Sequence, residues 1–333
     1  MRHLLGSAFG ALASLRVAAY RRGLLPRARL AGPVVSVGNL GVGGSGKTPV
    51  VARVAEILHD AGEPVAVLSR GYGGSFRGEA LLVSDGAAVL AGASEAGDEP
   101  VMLARALPGV VVAVGPRRDA VGRAVEARFG RRAHVLDDGF QHLRLERDLD
   151  LVCLDVGDLD DRAMPAGRLR ERPSALGRAD LVLLTRIEAA SEEELRALEA
   201  RLGPERCFRV GRRVAGWSAL GGAPAAPPSR AFLLAAIARP ERFEGDVAGC
   251  GVAVLGRAFF RDHHRFRAND LASVAEQARA AGAGAIVTTA KDAVRLEGAP
   301  TLGLQVVVMA ISAKIADEAR LRARLLSAVG RAA

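Results

Sequence analysis

The chain has 333 residues, half of them hydrophobic and a quarter charged, with a formal net charge of +9. That length fits two compact α/β lobes, and the composition excludes an intrinsically disordered protein. Three well-separated cysteines, Cys153, Cys207 and Cys250, lack C-x-x-C spacing, which excludes a zinc or redox framework and predicts buried thiols in a reducing compartment.

The first element is an apolar stretch from Leu4 to Tyr20. No acidic residue precedes Glu56, whereas Arg2, Arg16, Arg21, Arg22, Arg27, Arg29, Lys47 and Arg53 all do. Positive charge gathered beside an apolar segment suits a membrane surface, and it lacks the interleaved aromatics of a nucleic-acid groove. Leu5, Ala8, Leu12, Leu15 and Ala19 follow helical spacing, with Phe9 at the edge and Arg16 at the margin. The stretch is shorter than the roughly 20 residues a spanning helix needs. Residues 1–25 are therefore read as an amphipathic membrane-associating helix. A secretory signal with a small-residue site at Ala11-Leu12-Ala13 and a helix packed on the protein's own core are the rival readings, and the nucleotide site below argues against the first.

Apolar β-rich runs then alternate with helical ones. Strands are predicted at Val34–Val37, Val65–Leu68, Val110–Val114, Ala133–Leu136, Leu149–Leu154 and Leu181–Leu184. Helices are predicted at Thr48–Ala61, Asp98–Leu107 and Asp119–Phe129. Near-continuous apolar strands separated by helices imply a mostly parallel sheet with both faces covered, the P-loop NTPase-like α/β class. The Pro/Gly/Ala-rich stretch from Gly221 to Ser229 divides a P-loop lobe, residues 26–220, from a smaller α/β lobe, residues 221–333. In the second lobe the predicted strands are Phe232–Ile237, Val252–Leu255, Ala285–Thr288 and Gln305–Val308. Its helices are predicted near Pro240–Val247, Asp270–Ala281 and Ala313–Ser327.

The segment Gly41-Val-Gly43-Gly44-Ser45-Gly46-Lys47-Thr48 fits G-x-x-x-x-G-K-[ST] directly after a strand and before a helix. Glycines let the backbone wrap around phosphates, and the helix N-terminus adds the positive end of its dipole. Lys47 is expected to neutralise the β- and γ-phosphates of ATP, and the Thr48 hydroxyl to bind Mg²⁺. Pro49 suits the first helical turn, where its missing N–H costs no bond. Lys47 is one of three lysines in a chain that otherwise uses arginine. The predicted strand Ala133–Leu136 runs into Asp137 and Asp138, where a carboxylate holding Mg²⁺ is expected.

Several motifs are more specific than the P-loop. The chain resembles the tetraacyldisaccharide 4'-kinase family through Ser36-Val-Gly-Asn-Leu40, Gly43-Gly-Ser-Gly-Lys-Thr-Pro49, Leu68-Ser-Arg-Gly-Tyr-Gly73, Gly97-Asp-Glu-Pro100 and Asp137-Asp-Gly-Phe-Gln-His142. The likeness continues through Pro165-Ala-Gly-Arg-Leu-Arg-Glu171, Ala179-Asp-Leu-Val182, Asp262-His-His264 and Lys291-Asp-Ala-Val294. The resemblance implies transfer of the ATP γ-phosphate to the 4'-hydroxyl of a lipid-linked glucosamine disaccharide 1-phosphate, at the cytoplasmic face of the inner membrane. It implies that Asp98 activates the sugar hydroxyl, assisted by His263, with Glu99 near the metal. It also makes Gln141 a candidate nucleotide contact, and Arg70, Tyr72, Asp137 and Glu171 candidate substrate contacts.

From the residues alone, Asp98 reads as a helix N-terminal signal and the paired histidines as ordinary surface or core residues. Where the family tends to carry a glycine-rich turn and an asparagine before Pro240-Glu-Arg-Phe243, this chain has Ala235-Ala236-Ile237-Ala238-Arg239. A membrane-associated regulatory ATPase of the partition type is the alternative. Its second lysine, before the Gly-Gly of the loop, is replaced here by Val42. Guanine selectivity lacks its motif, since Lys291 and Asp292 are adjacent. Nothing in the sequence singles out a protein partner.

Overall fold

The computed structural model describes residues 15–42, 46–298 and 302–330. Most of the expected N-terminal helix, with Leu5, Ala8, Phe9 and Leu12, and Gly43, Gly44 and Ser45 of the loop lie outside the described residues. Residues 15–21 are helical.

The first part of the chain contributes strands β1 (Val34–Asn39), β2 (Val65–Ser69), β3 (Leu81–Ser84), β4 (Val111–Val114), β5 (Ala133–Asp137), β6 (Leu149–Asp155) and β7 (Leu181–Thr185). Its helices are α1 (Lys47–Asp60), α2 (Asp98–Ala106), α3 (Arg118–Phe129) and α4 (Glu192–Leu202). After them come β8 (Cys207–Ala219), β9 (Arg230–Ala235), α5 (Pro240–Gly249), β10 (Ala253–Phe259), α6 (Ala268–Ala280), β11 (Ala285–Thr289), α7 (Ala290–Arg295), β12 (Gln305–Ile315) and α8 (Glu318–Ala328).

Among the described residues one sheet of twelve strands forms, in the order β10-β9-β11-β12-β8-β7-β6-β1-β5-β2-β4-β3. Its inner strands are apolar at consecutive positions because both faces are covered. Val35 and Val37 of β1, Val65 and Val67 of β2 and Val135 of β5 join the core under α1, which buries Val50, Val51, Val54, Ile57 and Leu58. The alternate residues Val34, Ala66, Leu68 and Leu136 pack on the other face against Val121 and Val125 of α3.

Pairing is parallel from β4 through β2, β5, β1, β6 and β7 to β8. The C-terminal ends of these strands therefore share one edge. Strand order reverses about β1, and the segment after β1 enters the crevice that such a reversal opens. β8 joins the halves: residues 207–210 pair with β7, and residues 210–219 pair antiparallel with β12. This strand is not among those predicted, because its exposed and half-buried residues do not form an apolar run. The helix predicted from Ala313 starts at Glu318, because β12 continues to Ile315 along β8. Cys153 and Cys207 are buried as expected, whereas Cys250 is exposed, at the end of α5.

Candidate active site at the carboxyl edge of the sheet

Gly46 precedes α1 with φ 74°, a left-handed conformation that glycine adopts without a Cβ penalty. Lys47 therefore opens the helix directly behind β1. Its ammonium donates to Asn39 Oδ1 at 2.7 Å and to Asp138 Oδ1 at 2.6 Å. Asp138 has φ 54° and also accepts from Arg170 at 2.7 Å. Burial would push its carboxyl up, but Lys47 and Arg170 outweigh that and hold it at about 2. Asp137, at the end of β5, is buried and accepts from the Ser69 hydroxyl at 2.8 Å. Its carboxyl is pushed up to about 6, first by burial and next by the charge of Glu99. The charges of Lys47 and Glu99 both bear on Asp137, in opposite senses.

A second cluster comes from the far half of the chain. Gly97 has φ 91°, and a Cβ there would lie 2.4 Å from the Tyr72 carbonyl oxygen. Glycine thus lets α2 begin hard against the loop after β2. Asp98 is the first residue of α2, and the helix has no side-chain cap. Asp98 thus marks the helix start as the sequence suggests without capping it, and its Oδ2 accepts from Arg295 Nε at 2.7 Å and lies 3.2 Å from His263 Nδ1. His263 follows β10 with φ 60° and is anchored by its N–H to the Ala236 carbonyl at 3.2 Å. Left-handed non-glycine residues are uncommon and gather at functional sites. Asp138 and His263 are two of the four among the described residues. Lys291 Nζ lies 3.3 Å from Glu99 Oε1, 3.4 Å from Asp262 Oδ1 and 3.2 Å from His263 Nε2.

A family model described as Tetraacyldisaccharide-1-P 4'-kinase matches residues 3–330. The chain belongs to that family. The tetraacyldisaccharide 4'-kinase of Anaeromyxobacter dehalogenans (strain 2CP-C) is 46% identical over 307 residues, which are 87% of this chain and 79% of that protein. The protein of the same name from Geobacter metallireducens is 42% identical over 289 residues, 85% of this chain and 84% of its own. Among solved structures, the "apo" form LpxK from Aquifex aeolicus in complex with ATP superposes with a TM-score of 0.79 at 29% identity. That match covers 98% of this chain and 97% of the other.

Against this kinase family, the remaining predicted residues divide. Arg70 and Tyr72 are exposed, and the Tyr72 ring meets the His263 ring edge-on at 5.8 Å. Gln141 donates to the Asn39 carbonyl at 2.9 Å and to Glu171 at 3.2 Å. Glu171 is buried and takes both arms of Arg178, which lies over Phe140, so its oxygens brace Gln141 from behind. Gly41 pairs with Leu169, tying the loop's first glycine to the segment that supplies Arg170. The sequence reading passed over Asn39, Arg170, Lys291 and Arg295. A signal existed for Lys291, which is one of three lysines in an arginine-rich chain. Arg170 lies within the Pro165–Glu171 motif, whereas for Arg295 there was no signal, since arginine is everywhere in this sequence.

Proposed function

We propose that this chain transfers the γ-phosphate of ATP to the 4'-hydroxyl of a tetraacyldisaccharide 1-phosphate, a step of lipid A biosynthesis. The observation that carries the assignment to this site is the Asp98 carboxylate, gripped by His263 and Arg295 from the second half of the chain. Lys47, with the amides of the glycine loop, holds the phosphates and offsets charge on the transferred group. Asp98 takes the proton of the sugar hydroxyl as its oxygen attacks the γ-phosphorus in line, and ADP leaves as the β–γ bridge breaks. Arg295 and His263 keep the carboxylate aimed.

The donor set suits Mg²⁺. Thr48, Glu99 and Asp138 offer the hard oxygens that this cation prefers. Among the described residues no three His, Cys, Asp or Glu side chains converge as a cage. That agrees with an ion held by one or two carboxylates together with phosphate oxygens and water. A metal ion held by these residues would supply positive charge to offset that of the triphosphate.

The enzyme works at the cytoplasmic face of the inner membrane, in this reading, as a peripheral protein. Leu15 is 67% and Leu24 72% exposed, beside exposed Arg16, Arg21 and Arg22, a pattern that suits an anionic lipid surface. No helix among the described residues is long and apolar enough to cross a membrane.

The deciding experiment incubates the purified protein with γ-labelled ATP, Mg²⁺ and detergent-dispersed disaccharide 1-phosphate. Label in the lipid at the 4' position is the expected result. ATP hydrolysis with no labelled lipid would instead support the regulatory ATPase reading.

A further inference from the structure

We propose that Arg117, Arg123 and Arg144 form a binding site for the phosphate of an anionic membrane lipid, distinct from the lipid that is phosphorylated. The inference goes beyond the reaction proposed above and rests only on the reading that residues 15–29 meet a lipid surface.

Asp119 lies in the first turn of α3, and its side chain is fully buried. Its Oδ2 takes all three guanidiniums, from Arg117 Nη2 at 3.0 Å, Arg123 Nη2 at 2.7 Å and Arg144 Nε at 3.3 Å. Burial would push the Asp119 carboxyl up, but these arginines outweigh that and hold it at about 2, so it stays an anion at neutral pH. One carboxylate therefore faces three cations. The charge of exposed Glu79 also bears on Arg117, and positive charge is still in excess. Guanidiniums gathered on one oxygen repel one another, and a further anion among them relieves that repulsion.

The three arms are also prepared to receive it. A guanidinium carries five N–H donors. Among the described residues, Asp119 is the only hydrogen-bond partner of each of these side chains. They are 47%, 51% and 41% exposed, so their remaining donors open to solvent. Phosphate oxygens take paired N–H bonds from such forks. Arms already held by a buried carboxylate lose little freedom on binding.

The neighbouring chain identifies the occupant. The Arg144 carbonyl accepts from the Ala28 N–H at 2.7 Å, and the Ala28 carbonyl accepts from the Glu146 N–H at 2.9 Å. Leu25 precedes Ala28 by three residues, so the two Cα atoms are at most about 11 Å apart. Leu30 packs on Val121 and Val125 of α3, over Gly122, where a Cβ would lie 2.3 Å from Leu30 Cδ1. Glu126, one to two turns beyond Asp119 and Arg123 on the same face of α3, accepts from the Ala31 N–H at 3.2 Å and the Gly32 N–H at 2.7 Å. α3 thus carries both the arginine cluster and the segment that leads from exposed Leu24 and Leu25. A bilayer that receives those leucines brings its phosphates to the arginines. The acceptor's own phosphate shares this chemistry, and the experiment separates the two sources.

The test compares the full chain with Arg117→Gln combined with Arg123→Gln, which leaves Arg144 on Asp119. Co-sedimentation uses vesicles of phosphatidylcholine alone and of phosphatidylglycerol and phosphatidylcholine in equal parts. The double variant should bind the anionic vesicles about tenfold or more weakly, because two cations near the surface are lost. Its binding to phosphatidylcholine alone and its KM for detergent-dispersed acceptor should match the parent's. Arg196→Gln with Arg201→Gln, an equal charge change at exposed positions of α4, should alter binding by less than about twofold. In parent protein labelled with ¹⁵N-arginine, soluble dihexanoyl phosphatidylglycerol should move the Nε–H signals of the three arginines and dihexanoyl phosphatidylcholine should not. That titration decides even if the double variant fails to fold. Anionic-vesicle binding equal to the parent's, or an equal loss in the α4 variant, would overturn the inference. A raised acceptor KM with vesicle binding intact would overturn it in favour of the acceptor's phosphate. A parent that binds neither vesicle removes the membrane-surface reading itself, and the site with it.

Discussion

In the proposed reaction Lys47 meets the phosphates and Asp98 the sugar hydroxyl, so their removal should separate binding from proton transfer. Lys47→Ala takes away the cation that meets the phosphates and leaves Asp138 with Arg170 alone. Its kcat/KM should fall by about 100-fold or more, together with weaker ATP binding. Asp98→Asn keeps shape and partners but cannot accept the proton, so kcat should fall by a similar factor while ATP affinity measured by titration stays near normal. Equal loss of ATP affinity in both variants would contradict the division of labour. Asp137 gives a separate reading through stability. Burial, and then the charge of Glu99, raise its carboxyl to about 6, so the folded protein holds this proton more tightly than the unfolded chain, where it titrates near about 3.9. The stabilisation from the protonated form is full below about pH 4 and is lost as pH rises through about 6. Each tenfold gain in proton affinity is worth about 1.4 kcal/mol, so roughly 3 kcal/mol is at stake. In nucleotide-free protein, Asp137→Asn should flatten the fall in Tm between about pH 4 and 6 and raise Tm at neutral pH. A pH slope identical to the parent's would remove Asp137 as its source.

At the scale of elements, the start of α2 depends on one glycine. Ala at position 97 would have to hold φ 91° and would drive its Cβ to 2.4 Å from the Tyr72 carbonyl oxygen. The loop after β2 and the helix must then part, carrying Asp98 away from Arg295 and His263. Gly97→Ala should destabilise the fold by about 1–3 kcal/mol in denaturant unfolding and lower kcat beyond what that loss explains. Normal turnover would mean that Asp98 tolerates displacement. The same element shows what the sequence could disclose. Strands β1, β2, β5, β6 and β7 were legible because both faces are buried and their residues are apolar without interruption. The loop lysine was legible because its glycines and flanking elements leave few other readings. β8 was not, since its residues beyond the first four are largely half-buried or exposed and its strand state is imposed by pairing with β12. Arg295 and Lys291 were equally hidden as partners of Asp98 and Glu99, being 197 and 192 residues distant in sequence. Contacts across such separations come from tertiary packing and leave no periodicity in the chain.

At the scale of the molecule, the halves share a sheet through β8 and are also tied by ion pairs. Arg53 of α1 grips Glu318 of α8, and Arg105 pairs with Glu297. If the acceptor is a lipid, as proposed, the enzyme meets it at a surface, and residues 15–29 carry exposed leucines and arginines suited to that contact. Leu24 and Leu25 are 72% and 37% exposed, with exposed Arg21, Arg22, Arg27 and Arg29 around them. Burying a leucine contributes about 1.5–3 kcal/mol, and each cation near an anionic surface adds about 1 kcal/mol that salt screens. Leu24→Asp with Leu25→Asp removes the apolar part and sets two negative charges against the lipid. Co-sedimentation with vesicles rich in anionic lipid should fall by about tenfold or more, since about 1.4 kcal/mol is already a factor of ten. The parent's binding should also weaken between low and high salt. Turnover on detergent-dispersed acceptor should stay near normal, because neither leucine belongs to the cleft. Vesicle binding equal to the parent's would mean that these leucines face some part of the protein's own surface, and membrane attachment would then have to come from elsewhere in the chain.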